Sequence, residues 1–458
     1  MNRLEQSMTL ETRSISLLPK ALGILESGFR DLPAFDSQIN MEEIQTILME
    51  VANRMKDNYP YPHPYYIGQM LKPPHPIARL AYTLSLWINP NNHALDGGRA
   101  SSAMEKEAVG RIGEMFGWQE CLGHLSSGGT MANLEALWIS GLLKPGAKIL
   151  ASSQAHYTHG RISSVLGIPF EAVQCDSKAK MDLIDLERKL DKGEVGTVVA
   201  TLGSTATGSF DSLPEIIKLR ERYGFRIHVD AAYGGYFILA GNLQEDTRRI
   251  FDQIKEADSI VVDPHKHGLQ PYGCGCMLFK DPSVGVHYKH DSPYTYFTSG
   301  ELHLGEISLE CSRPGSSAVA LWATQQLLPM KPEGAFARQL ETVREAALKL
   351  HDFFRTDPRF MSALNPELDI LIWGVRGSKA SEISAYTDKF FDLTAQRGLH
   401  LAKANLPGAI LRDYWPEIEW DQETVTCLRS CIMKPEVIDW IDDIKNIMIK
   451  TADAVLEK

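Results

Sequence analysis

Between Gly129 and Ala232 the chain alternates short apolar runs with segments of helical spacing, and this alternation constrains the fold more than any other feature. GTMANLEALWISGLL reads as helix, AKILASS as strand, HGRISSVLGI as helix, VGTVVATLG as strand, LPEIIKLRERYG as helix and RIHVDAA as strand. The pattern predicts an α/β fold: a mostly parallel sheet with helices on both faces and right-handed crossovers. At 458 residues the chain exceeds one ordinary core. Helical spacing runs to about Met55, and the following NYPYPHPYYIGQMLKPPHP excludes helix. On composition that stretch reads as a linker, with a pocket wall or a subunit contact built from its tyrosines and histidines as the alternative. Helical patterns from Ile77 to Trp87 and from Ser101 to Trp118 frame a large domain, and LLPMKPEGAF after Leu327 reads as its boundary. Beyond it come helices (Ala335 to Phe354, Ser381 to Arg397) and strands (DILIWGV, TVTCLRSCIM). The predicted division is a helical segment with a proline-rich connection over 1–76, a large α/β domain over 77–327 and a small α+β domain over 328–458.

Composition excludes several classes of function. A net charge of −11 disfavours nucleic acid and anionic membrane as general partners, while leaving room for a local basic pocket. The start, MNRLEQSMTLETRS, lacks the apolar core of a secretory signal, and no apolar run of about 18 residues appears that would span a bilayer. Seven cysteines are scattered without the spacing of a disulfide scaffold or a zinc ribbon. A soluble, unexported protein in a reducing cytoplasm is expected.

The chemistry concentrates at the ends of two strands. In HVDAAYGGYF, Asp230 follows the apolar run that starts at Arg226; in IVVDPHKHGL, Lys266 follows the run Ser259 to Val262. Both should emerge at the carboxyl edge of one sheet, where open α/β sheets bind ligands. A lysine with an apolar lead-in can carry an aldehyde as a Schiff base, and a buried carboxylate opposite it favours a protonated pyridine nitrogen; together these are what pyridoxal phosphate (PLP) requires. Ala231-Ala232 let a flat ring pack against the chain. Taken alone, DAAYGG is equally a turn with a capping aspartate. Metal binding by His265 and His267 is disfavoured, because in an extended segment they flank the lysine on one side with nothing nearby to complete a ligand set; His287 and His290 meet the same objection. Ser127, Gly128, Gly129 and Thr130 stand where a helix begins, so their backbone N–H groups form a candidate phosphate cradle, the bland alternative being a cap without ligand. His156, after AKILASS, should face the same edge and is a candidate to stack on the ring, although a lone histidine is more often structural. In the GSTATG loop, Ser204 or Thr205 is a candidate for the ring hydroxyl or a substrate carboxylate, and a plain turn explains the loop equally well.

Taken in order, SSGGTMAN, SSQAHYTHGR, GSTATGSFD, HVDAAYGG and DPHKHG resemble the group II PLP-dependent decarboxylases, which include glutamate and aromatic amino-acid decarboxylases and have sphingosine-phosphate lyases as relatives. The resemblance runs from about Ala78 to Trp322. It implies a fold-type I homodimer with shared active sites, and decarboxylation of an L-amino acid to amine and carbon dioxide. A carbon–carbon aldehyde lyase is the alternative, and a non-enzymatic PLP-binding or regulatory role is a third reading, for which an intact lysine, aspartate and proton-donor loop would be unnecessary. By the same resemblance Lys266 is the Schiff-base lysine, Asp230 the pyridinium partner, His156 the stacking residue and Ala232 the surface under the ring. His265 lies near the phosphate, and CSRPGSSAVALW, with Ser312 and Arg313, is the stretch that reaches the other subunit's site. YKHDSPYTYFTSGELH resembles the family's mobile loop, with Tyr294 the expected proton donor, Tyr296 and His290 its rivals, and simple packing at the interface the alternative for Tyr294. Arg161 stands where lysine is usual, and PNNHALDGGRASSAMEKE departs from the family's substrate-side pattern. His93 within it and Arg429 in TCLRSCIMKP are the candidate substrate contacts, although an arginine on a strand is more often a surface ion pair.

Overall fold

The computed structural model describes residues 10–457 apart from 34, 36, 37, 96 and 290–307. Helices α1 (Leu18–Ser27) and α2 (Met41–Met55) come first, the latter started by Asn40, whose side chain accepts the Glu43 N–H. Helices α3 (Pro76–Ser85) and α4 (Arg99–Met115) follow. The large sheet and its helices then run β1 (Leu122–Ser126), α5 (Gly129–Leu143), β2 (Lys148–Ser152), α6 (Thr158–Leu166), β3 (Phe170–Val173), α7 (Leu183–Leu190), β4 (Val195–Thr201), α8 (Leu213–Tyr223), β5 (Arg226–Asp230), α9 (Glu245–Asp252), β6 (Ser259–Val262) and β7 (Gly275–Phe279). Strand order is β1-β7-β6-β5-β4-β2-β3. All pairs from β6 through β3 are parallel, whereas β7 runs antiparallel to both β6 and β1. Strands β2, β4, β5 and β6 of the parallel body are those the sequence predicts, whereas the edge strand β3, FEAV and only partly buried, lacks the apolar run that marks the others. Valine-rich β4 and β6 are buried along nearly their whole length, as strands covered on both faces must be.

The remaining elements are α10 (Gly315–Leu327), α11 (Ala335–Thr356), β8 (Phe360–Ala363), β9 (Ile370–Val375), α12 (Ala380–Gln396), β10 (Ala402–Pro407), the single turn α13 (Gly408–Leu411), β11 (Thr424–Cys431) and α14 (Ile441–Leu456). Their strands form a second, antiparallel sheet in the order β10-β11-β9-β8. Helix α11 serves both cores. Its Phe336, Leu340 and Val343 pack into the large core, and its Ala347, Leu350 and Phe354 into the smaller one, where Phe354 stacks on Trp373 at 4.1 Å.

Two features join the sheets. Asp369, wholly buried just ahead of β9, accepts the Tyr233 hydroxyl at 2.8 Å and lies 3.2 Å from His267 Nε2, so one carboxylate of the small unit holds the loops that follow β5 and β6. The proline-rich stretch is the second, and here the linker reading is corrected. Tyr66 bridges His400, Ile67 is fully buried, and the rings of His63 and Tyr65 meet Trp440 at 5.1 and 5.2 Å. The prolines do exclude helix, but the aromatic rings between them bury enough area to dock the segment on the second sheet.

Candidate active site

Parallel pairing sets Thr201 beside Asp230 and Asp230 beside Val261, so the loops after β4, β5 and β6 open at one edge. A cavity of about 320 Å³ lies there. Lys266, Asp230, Ala232, His156 and His265 line it together with Ser127, Gly128, Gly129, Thr130 and Thr205. Thus the structure brings most of the predicted residues to one space.

Asp230 ends β5 and is buried. Its Oδ1 accepts the Ala232 N–H at 3.1 Å, and its Oδ2 lies 2.9 Å from His159 Nε2 and accepts the Asn133 amide at 3.3 Å. Burial opposes the charged form, but the His159 hydrogen bond and the Lys266 ammonium outweigh it and hold the carboxyl well below the usual carboxylate range. Burial, the largest influence, with His159 and Arg226 acting the same way, pushes the His228 imidazole down to about 3. Lys266 Nζ sits 3.1 Å from Oδ2 of Asp263, a buried carboxylate whose Oδ1 has no partner among the described residues. The lysine loop is a turn and not the extended segment expected. His265 therefore faces the cavity, its ring 4.8 Å from that of Tyr272, while His267 is buried between Tyr233 and Phe237 on the opposite side.

At the cradle, the Ala132 N–H bonds the Gly128 carbonyl, so Gly129, Thr130 and Met131, which line the cavity, have no carbonyl four residues back within α5 for their N–H groups, while the Gly128 N–H donates to Ser126 Oγ at 3.4 Å. Glycine is required there. Gly128 has φ +149°, and a Cβ on Gly129 would stand 2.7 Å from Asp263 Oδ2. The Ser127 N–H donates to Glu310 Oε2 at 2.9 Å. His156 is half-buried with Nδ1 2.9 Å from Thr158 Oγ1, and burial keeps it, like His265, on the neutral side of an ordinary histidine. These residues fit PLP: open helix-start donors for a phosphate, an ionised carboxylate for a ring nitrogen, and an amine for an aldehyde. The buried Thr201 Oγ1 in the cavity wall also lacks a partner among the described residues.

Other expected residues lie elsewhere. Ser204 does not line the cavity; its hydroxyl is 2.8 Å from Thr207 Oγ1 and 3.1 Å from Ser209 Oγ, bracing its own loop, so Thr205 is the group left to face inward. Ser312 is exposed and accepts from the Asn91 amide at 3.1 Å, away from the chain's own cavity. Arg313 is turned inward, donating to Glu105 Oε1 at 2.6 Å and to the Leu125 carbonyl at 2.7 Å. His93 packs against Gly97 outside the cavity lining. Arg429 is not a surface ion pair: it is buried on β11, donates Nη1 to Gln69 Oε1 at 3.0 Å, keeps Nε and Nη2 without partners among the described residues, and acts electrostatically on Tyr233 at the cavity wall. Tyr294, Tyr296 and His290 lie outside the described residues. Sequence reasoning missed Asn133, His159, His228 and Asp263. Asn133 and His159 carry a helical-spacing signal, one turn beyond Gly129 and His156 respectively.

The conserved domain of pyridoxal-dependent decarboxylases matches residues 143–373, just over half of the chain. The L-tyrosine decarboxylase of Enterococcus faecium is 25% identical, the alignment covering 96% of this chain and 92% of that protein. A probable L-tyrosine/L-aspartate decarboxylase of Methanothermobacter thermautotrophicus is 31% identical over 56% of this chain and 69% of its own length. Among solved structures, Oryza sativa TDC with PLP and tryptamine superposes with a TM-score of 0.79 at 15% identity, covering 95% of this chain and 92% of that one. Mouse CSAD gives 0.76 at 19% identity, covering 93% and 91%. At such identities the structures establish the fold. Nothing in these comparisons favours the aldehyde-lyase alternative. The chain belongs to the pyridoxal-dependent decarboxylase family, and it is a PLP-dependent carboxy-lyase acting on an amino acid.

Proposed function

We propose that Lys266 takes the cofactor's aldehyde, Asp230 holds its ring nitrogen, His156 covers its ring and Ala232 underlies it, while Ser127, Gly128, Gly129, Thr130 and His265 hold its phosphate. The observation that carries this reading is that Lys266, Asp230 and the first turn of α5 open onto one cavity. Bound PLP supplies an electron sink for the pair left when carbon dioxide departs. The chain does the rest. Asp230, kept ionised by its N–H donors, favours a proton on the ring nitrogen. Asp263 would hold Lys266 Nζ at the cavity wall whenever that amine is free, and Thr205 would offer a hydroxyl to the ring or the substrate.

The substrate is proposed from the relatives' names, as L-tyrosine or L-aspartate. Arg429, with its buried open donors, is the candidate receptor for a substrate carboxylate. The test is carbon dioxide release by the PLP-loaded protein from these two and L-glutamate; silence from all three with cofactor bound defeats the substrate assignment.

A homodimer is part of the same proposal. Helix α2 leaves Met41, Ile44, Ile47, Leu48 and Val51 exposed, Ile47 at 55%, an apolar face suited to a partner. The exposed Ser312, outside its own cavity, fits a role in the partner's site. A division into the segment 1–76, the cofactor-binding body 77–327 and the small domain 328–458 is supported by the two separate sheets, although α11 contributes to the cores of both. A cytoplasmic setting is supported by seven free thiols. Among the described residues, no helix is long and apolar enough to cross a membrane.

A further inference from the structure

We propose that His159 is a positioning residue for the reaction: as a neutral imidazole it donates its Nε2–H to Asp230, keeping that carboxylate fully charged and fixed in orientation for the ring nitrogen. The inference rests on the reading of Asp230 given above. His159 and Asp230 are both buried, with Nε2 2.9 Å from Oδ2. An ionised carboxylate only accepts, so Nε2 carries the proton. The charge on the ring is then decided by Nδ1, which is buried and has no hydrogen-bond partner among the described residues. A proton there would bury a cation with one donor unpaired, a larger penalty than an unpaired lone pair. His159 also lies in the first turn of α6, where the positive end of the helix dipole disfavours an imidazolium. An imidazolium would moreover neutralise the charge that Asp230 must offer to the ring.

The neighbours fix the same arrangement. Asn133 donates its amide to Asp230 Oδ2 at 3.3 Å and presents its Oδ1 to His228 Nε2 at 2.8 Å, so His228 is the N–H donor there and its Nδ1 accepts the Ser259 hydroxyl at 2.9 Å. Asp230 thus receives N–H groups from His159, Asn133 and Ala232, none of which need carry a charge. The titratable groups acting on Asp230 are His159, His228 and Lys266, with His156 next to them.

The test compares His159→Leu, which lacks the donor, with His159→Gln, whose amide N–H has similar reach. For both, PLP affinity, the pH titration of the bound cofactor's visible absorbance, kcat and KM are measured, with melting as a control for folding. The Leu variant should lose about ten- to a hundredfold in kcat with little change in KM, and its absorbance titration should move by about one pH unit or more. The Gln variant should keep kcat within about threefold and titrate like the wild type. A Leu variant with wild-type kcat and titration overturns the proposal, as does a folded Gln variant as impaired as the Leu one. Independently of any variant, selective 15N-histidine spectra of the wild-type holoenzyme should show His159 as the neutral Nε2–H tautomer; an imidazolium overturns it. Turnover retained by Lys266→Ala would defeat the reading of the whole site, whereas an inactive Lys266→Ala beside an unaffected Leu variant would defeat the role of His159 alone.

Discussion

Lys266→Ala removes more than the group that takes the aldehyde. In the cofactor-free protein it also leaves a buried carboxylate without its nearest cation, since Lys266 Nζ stands 3.1 Å from Asp263 Oδ2. At that separation and an effective dielectric constant of about 20, the gross attraction is ~5 kcal/mol. Removing one partner of a buried pair costs about 3–5 kcal/mol. The Lys266 side chain is 20% exposed against 3% for Asp263, which puts the expected loss at the lower end, about 3 kcal/mol. His265 Nε2 lies 3.5 Å from the same oxygen, and burial, the largest influence on that ring, still favours its neutral form when Lys266 is gone. Adding Asp263→Asn to Lys266→Ala should therefore recover much of the loss, a coupling that a double-mutant cycle measures by urea unfolding of the four cofactor-free proteins at neutral pH. The reconstituted Lys266→Ala protein should lack the wild-type visible band and release no carbon dioxide from any amino acid. Additive stabilities in the cycle would refute the pairing, and retained turnover would refute the assignment of Lys266.

Gly129→Ala should raise the Kd for PLP by about tenfold, the equivalent of 1.4 kcal/mol, because its Cβ would stand 2.7 Å from the carboxylate oxygen that holds Lys266; cofactor titration by absorbance checks this, and an unchanged Kd would show that the carboxylate moves freely. His228, pushed down to about 3 by burial, stays neutral in the fold while the unfolded chain takes up its proton below about 6.5. Its contribution to stability is therefore full above about pH 6.5 and is lost as pH falls towards 3, at up to ~1.4 kcal/mol per pH unit. Urea unfolding between pH 7 and pH 4.5 should be less acid-sensitive in His228→Gln than in the wild type. Ile47→Glu, on the exposed apolar face of α2, should shift the protein from dimer to monomer in sedimentation velocity; a wild-type monomer at micromolar concentration would refute the dimer.

The sequence by itself determined the parallel body of the large sheet, because strands buried on both faces must be apolar along their length and cannot be confused with the amphipathic helices between them. It determined too that Asp230 and Lys266 belong to one edge, since parallel strands all end on the same side; that the SSGGT turn opens there as well was decided by the pairing of β1 to β6 through the antiparallel β7. The antiparallel β7 escaped it: GCMLF is a short apolar run like any other, and direction is set by partners and not by composition. Tertiary structure alone decided the site's second layer. Which oxygen of Asp230 meets His159, which carboxylate holds Lys266, and which way the two histidines beside Lys266 face all depend on groups distant in sequence packing within hydrogen-bond range. A chain read in one dimension records the donors and acceptors available, but burial fixes which of them must pair, because an unpaired polar group away from water is too unfavourable to leave to chance.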